Sequence, residues 1–98
     1  MNSSKIDAAI VLFTGKGMFN FPHRSLERVK NHFPGPEGVE FARRVDELET
    51  EFYEVKPRPD ETLDEASDRA AQTFARHHPE LSAEAVDALD WCFAFDWK

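Results

Sequence analysis

The chain has 98 residues, of which 41% are hydrophobic and 32% charged, and its formal net charge is −7. This length suits one domain, and the apolar content, with nine phenylalanines, is enough for one core, which argues against intrinsic disorder. The single Cys92 excludes an internal disulfide, and the longest apolar run, residues 8–13, is too short to span a bilayer. We therefore expect one domain over residues 1–98, located in the cytoplasm and without a membrane segment.

The excess of negative over positive charge lies entirely in the second half of the chain. Seven Lys/Arg and seven Asp/Glu cancel in residues 1–49, whereas residues 50–98 carry five Lys/Arg against twelve Asp/Glu. An acidic surface repels phosphates, so direct nucleic-acid binding is not expected. The charge favours either a cationic partner or simply solubility.

Apolar residues at helical spacing predict a first helix over about residues 4–14. Ser3 or Ser4 is placed to cap it, and Gly15 is placed to end it. The positions at i, i+3, i+4 and i+7 are Ile6, Ala9, Ile10 and Phe13. The same run also has strand propensity, so a short strand is the alternative.

Three large apolar side chains follow in a short connection: Met18, Phe19 and Phe21. We expect them to lie beneath neighbouring helices, because small apolar clusters under loops are common. The alternative is a loop that inserts into a partner.

The second helix is predicted over about residues 23–33. Pro22 is compatible with its first position, whereas Ser25 would cap a later start, and Pro34-Gly35-Pro36 ends it.

The third and longest helix is predicted over about residues 37–55. Its inward stripe has spacings of four, three, four and three and consists of Phe41, Val45, Leu48, Phe52 and Val55.

Two capped helices complete the chain, over about residues 63–77 and 83–96. Thr62 and Glu65 form a capping-box pattern, and Ser82 is the cap of the last helix. The inward residues predicted for the last helix are Val86, Leu89, Phe93 and Trp97. Because Trp91 and Phe95 make other sides of it apolar as well, this helix is either deeply buried or covered by another chain. Together the segments predict an all-α, compact bundle of four to five helices.

No motif predicts catalysis, a metal or a cofactor. Adjacent His77 and His78 point about 100° apart on a helix, and neither a zinc nor a calcium pattern is present. Gly15-Lys16-Gly17 lacks the spacing of a phosphate-binding loop. Cys92, among aromatic and acidic neighbours, is typical of a small core residue with a raised pKa. An enzyme would have to use His23, His32 or His77.

What remains is an acidic field beside an aromatic end, a combination that suits an interface for a basic partner. The residues predicted to bind this partner are Asp60, Glu61, Asp64, Glu65, Asp68, Glu84, Asp87, Asp90, Trp91, Phe95, Asp96 and Trp97. The alternative is a solvated acidic face with buried tryptophans.

In size, in its acidic second half and in its closing segment LSAEAVDALDWCFAFDWK, the chain resembles bacterial immunity proteins and antitoxins. The resemblance is one of general character over the whole chain. It implies stoichiometric occlusion of a toxin domain without turnover, and it transfers no individual functional residue. The alternatives are an inhibitor that mimics nucleic-acid charge and a structural helical module that forms a homodimer.

Overall fold

Five α-helices are found in the computed structural model, which describes residues 3–97 except for the side chains of Ser3 and Ser4. They are α1 (Ser3–Thr14), α2 (Leu26–His32), α3 (Pro36–Phe52), α4 (Leu63–His77) and α5 (Ala83–Asp96). No β-strand occurs in residues 3–97, so the predicted all-α bundle is confirmed and the strand alternative for the first segment is wrong. The predicted cap at Ser3 or Ser4 concerns side chains outside the described part.

Helix α1 packs against α2, α3 and α5, and α3 contacts all four of the other helices. The predicted inward residues of α1, Ile6, Ala9, Ile10 and Phe13, are all buried. Gly15 follows α1 with a φ of 82°, the left-handed backbone that glycine adopts without strain, and its amide donates to the carbonyl of Val11.

The second helix begins three residues later than the prediction that started it at residue 23. Ser25 is its N-cap and accepts a hydrogen bond from the amide of Arg28, so the Ser25 alternative is the one confirmed. Pro22 lies in the preceding connection, because the capping hydroxyl and not the proline sets where the helix begins.

Helices α2 and α3 approach closely at Gly38, a position the periodicity did not single out. A Cβ atom built there would lie 1.8 Å from the carbonyl oxygen of Phe33, so only glycine fits this crossing. The Phe33 and Phe41 rings then pack edge to face, with centroids 4.9 Å apart.

Helix α3 ends at Phe52, earlier than the predicted residue 55. The last turn tightens there, because the amides of Tyr53 and Glu54 both donate to the carbonyl of Glu51. Val55 is consequently outside the helix, half-buried against the core.

The core is centred on a buried aromatic cluster, which we define as Phe52, Phe74 and Phe93. The centroid of the Phe52 ring lies 5.1 Å from that of Phe74 and 5.6 Å from that of Phe93, so the cluster joins α3, α4 and α5. All three side chains are at most 2% exposed.

Candidate functional site

The predicted acidic residues just before α4 and in its first turns are of two kinds, exposed or bonded within the chain. The carboxylates of Asp60, Asp64 and Asp68 are exposed and form no ion pair with any described side chain. Glu61, in contrast, accepts two hydrogen bonds of 2.7 Å from Arg69 and one of 2.8 Å from the amide of Arg58. These bonds lower the pKa of Glu61 to about 2, with the Arg69 hydrogen bonds as the main cause.

Glu65 is also engaged within the chain, in the capping box that the sequence predicted. Its carboxylate accepts from the Thr62 amide at 2.8 Å, and the Thr62 hydroxyl accepts from the Glu65 amide at 3.1 Å. Glu61 and Glu65 thus stabilise the start of α4, whereas the carboxylates of Asp60, Asp64 and Asp68 are exposed to solvent.

Asp90 brings an acidic group of α5 next to α4. Its carboxylate accepts a hydrogen bond from the hydroxyl of Ser67. Burial raises the pKa of Asp90, the Ser67 hydrogen bond opposes that shift, and the nearby charges of Asp68 and Asp87 add to it. The structure therefore brings three of the predicted residues together: Asp68, Asp87 and Asp90.

Helices α4 and α5 form an antiparallel hairpin, because a short connection joins them and they pack along one another. The bond between Ser67, near the start of α4, and Asp90, in the second half of α5, fixes their register. The acidic start of α4 consequently lies beside the last turns of α5. Glu84, at the other end of α5, is not part of this group and lines a groove with Asp7 and His32.

The last turns of α5 leave large rings in solvent. Phe95 is 46% and Trp97 is 45% exposed, and Trp91 is half-buried. The prediction that Trp97 points inward is wrong. Phe93 is the last buried residue of the inward stripe. Trp97 follows the last residue of α5, and its ring centroid lies 6.4 Å from that of Phe93.

A polar network holds this end of α5 to α3, and sequence reasoning missed it. Arg24, from the segment between α1 and α2, forms an ion pair of 2.7 Å with Asp96 and another with Glu49. The hydroxyl of Tyr53 accepts from Arg24 and donates to Asp96 at 2.6 Å. Asp96, predicted to bind a partner, is thus engaged within the chain. Only the long-range contact reveals this role, since 72 residues separate Arg24 from Asp96.

The electrostatics of the network agree with its geometry. Burial would lower the pKa of Arg24, but the hydrogen bond and charge of Glu49 outweigh it and raise that pKa. Burial raises the pKa of Tyr53, and its hydrogen bond to Asp96 adds to the shift. Arg24 therefore stays charged and Tyr53 stays a neutral donor.

The expectation that the apolar residues of the first connection lie beneath helices is wrong. Met18 and Phe21 are each 51% exposed and Phe19 is 39% exposed. Together with the C-terminal rings they make up most of the large exposed apolar side chains in residues 5–97. We refer to this set as the aromatic surface: Met18, Phe19, Phe21, Phe95 and Trp97.

Of the three histidines that an enzyme would use, His23 stacks on the Phe19 ring, His32 packs edge to face on Phe33, and His77 is the last residue of α4. Two other reactive or titratable side chains, His78 and Cys92, lie in the interior. His78 is buried, packs on the Phe74 ring and lies 2.7 Å from the Glu51 carboxylate, a contact the sequence did not predict. Cys92 is buried as predicted, and burial raises the pKa of its thiol to about 11. Among the described residues, no three His, Cys, Asp or Glu side chains are grouped as metal ligands.

The fold and this site define a small helical bundle that exposes an aromatic surface next to unpaired carboxylates. No protein-family model matches the chain, and no curated protein or solved structure is significantly similar to it. Within residues 3–97, no helix combines the length and the apolar character needed to cross a membrane.

Proposed function

We propose that this chain is a non-catalytic binding protein that neutralises a basic protein partner, in the manner of an immunity protein or antitoxin that occludes a toxin domain. The observation that carries the proposal is the exposure of Phe95 and Trp97 beside the acidic start of α4. Large rings at the centre of an interface supply desolvated anchors, and surrounding charges speed encounter and reject wrong partners.

The unpaired carboxylates support a cationic partner. Asp60, Asp64 and Asp68 form no ion pair within residues 5–97, and Asp87 adds a further exposed carboxylate on α5. A basic surface would gain from all of these charges at once, whereas nucleic acid would be repelled.

The experiment is affinity capture from the native host with the whole chain as bait, followed by mass spectrometry and purification of the captured protein. We expect a basic protein at equal stoichiometry whose association rate falls as salt rises, because salt screens long-range attraction. If the purified partner is acidic, or if its association rate does not respond to salt, the proposal is wrong.

Charge variants locate the effect on the surface. The double variant Asp64→Asn, Asp68→Asn should slow association about tenfold at low salt. The matched control Glu40→Gln, Asp46→Asn removes the same charge from α3 and should change the rate less than about threefold. Equal slowing by both doubles would mean that only net charge matters.

A further inference from the structure

The connection after α1 exposes more apolar surface than a solvated loop needs. Within four residues it presents Met18, Phe19 and Phe21, all at least 39% exposed. Exposed apolar groups of this size lower solubility, and a cluster of them indicates an interaction site. We refer to residues 15–21 as the aromatic loop.

Backbone contacts give the aromatic loop a defined conformation. The carbonyl of Gly15 accepts from the amides of Met18 and Phe19, at 3.0 and 3.1 Å. The amide of His23 donates to the carbonyl of Thr14 at 3.0 Å, which ties the far end of the loop back to α1. A side chain at Gly15 would lie 2.8 Å from the Phe19 ring, so glycine permits this close return.

Arg28 of α2 holds the loop from beneath. Its guanidinium donates to the carbonyls of Leu12 at 2.7 Å and Phe13 at 3.1 Å, and also to that of His23. The same group lies 5.3 Å from the centroid of the Phe19 ring, which stacks at 4.7 Å on His23. Phe19 is therefore a fixed base from which Met18 and Phe21 project.

A loop that is ordered before binding loses less conformational entropy when it binds. The hydrogen bonds of Arg28 and Gly15 supply this order without covering Met18 or Phe21. Exposed apolar side chains that project from an ordered loop have the features of an interface anchor.

Arg24 places the aromatic loop next to the end of α5. Arg24 is three positions after Phe21, so their Cα atoms lie within roughly 11 Å of one another. Arg24 binds Asp96, which stands between Phe95 and Trp97. Two links therefore place the loop near the second half of α5: Arg24 binds Asp96, and the charge of Lys16 acts on Asp90.

The charges near the aromatic loop indicate which kind of binding partner fits it. Around the loop and the end of α5 the cations are Lys16, Arg24 and Arg28. The carboxylates there outnumber them: they are Glu49, Asp90 and Asp96, with Asp68 and Asp87 next to Asp90. An anionic membrane would be repelled by a chain of charge −7, and a second copy would bring acid against acid. An apolar cleft with a cationic rim is complementary to both the rings and the carboxylates.

We propose that the aromatic loop is the anchor of the docking surface, inserting Met18 and Phe21 into an apolar cleft with a cationic rim on the protein partner, with Arg28 as its positioning residue. This inference rests on the proposed function and adds the loop, which lies far from the acidic half of the sequence.

The test uses the full chain and the basic protein that it captures. The double variant Met18→Ser, Phe21→Ser should raise the Kd at least about 100-fold, whereas Phe21→Leu should stay within about fivefold. The matched control is Val39→Ser, which alters an apolar residue on α3 that is 57% exposed and should leave the Kd within about threefold. In the complex, oxidation of Met18 by dilute hydrogen peroxide should slow at least about tenfold.

Three results would overturn the inference. One is a Kd that the double serine variant leaves unchanged while the wild-type chain still binds, in which case the proposed function stands without the loop. Another is loop-dependent sedimentation with phosphatidylcholine–phosphatidylglycerol vesicles. The third is a homodimer in light scattering that Phe21→Ser dissociates. If the wild-type chain captures no basic protein, both the proposed function and the inference fail.

Discussion

The molecule uses the same kind of side chain in two opposite ways. In the buried aromatic cluster, Phe52, Phe74 and Phe93 join three helices and are almost free of solvent contact. On the aromatic surface, rings of similar size stand in solvent on a loop and at a helix end. The difference is one of support: helices surround the first set, whereas the second is held from one side, by Arg28 and by the Arg24 network. Hydrophobicity alone therefore does not separate core from interface in this chain.

The largest effect is expected for Phe93→Ala. This change removes a ring that is 0% exposed and contacts Phe52 and Tyr53, so it leaves a cavity. We expect a loss of about 3–5 kcal/mol in the free energy of unfolding, measured by urea denaturation. A loss below about 1 kcal/mol would contradict the assignment of Phe93 to the core.

The next largest effect on stability is expected for Gly38→Ala. Helix propensity alone would stabilise this variant by about 1 kcal/mol, but the new methyl group overlaps the carbonyl of Phe33. We expect the overlap to dominate and unfolding to be easier by about 1–3 kcal/mol. An increase in the thermal midpoint would show that α2 and α3 can separate at no cost.

Tyr53→Phe probes the support of the exposed rings. It removes the hydroxyl that joins Arg24 to Asp96, at a cost of about 0.5–1 kcal/mol because the ion pair is partly exposed. In a Trp91→Phe background, the fluorescence anisotropy of Trp97 should fall, since the C-terminal turn loses an anchor. Unchanged anisotropy would mean that the network does not restrain the ring.

Phe21→Ala should have almost no effect on stability. Its ring is half in solvent, so the free energy of unfolding should stay within about 0.5 kcal/mol of the wild type. Phe93→Ala makes the same chemical change in the buried aromatic cluster. Comparing the two variants shows whether the aromatic loop contributes to stability. A loss of 2 kcal/mol or more would place Phe21 in the core.

The smallest effect is a pH dependence at Glu61. Its pKa in the folded state is lowered from 4.5 to about 2, chiefly by Arg69, so the folded state holds its carboxylate ionised. The stability it contributes is present above about pH 4.5 and is lost as the pH falls toward 2. In the Glu61→Gln variant, the free energy of unfolding should depend less on pH than in the wild type, and only in this pH window. A change confined to pH 5–8 would show that another group is responsible.

The helices could be predicted because their signals are local. The capping box at Thr62, the cap at Ser82 and the spacing of Val45, Leu48 and Phe52 depend on residues a few positions apart. The sequence did not decide whether Trp97 is buried or exposed at an interface, since its apolar spacing continues the inward stripe after the core has ended.

The candidate site shows the same limit. Composition identified the acidic start of α4, but the sequence did not reveal which carboxylates Arg69 and Arg24 neutralise, because these contacts cross 8 to 72 residues. The exposure of Met18 and Phe21 depends on Arg28 and the return at Gly15, and apolar content alone favoured burial.

The most direct test of the account is hydrogen–deuterium exchange of the chain, free and bound to the basic protein that it captures. We predict that binding slows exchange in residues 15–21, 63–68 and 94–97, and leaves the amides of residues 39–47 unchanged. Protection confined to residues 39–47, with the aromatic loop and the end of α5 exchanging as in the free chain, would contradict the claim that the exposed rings form the docking surface.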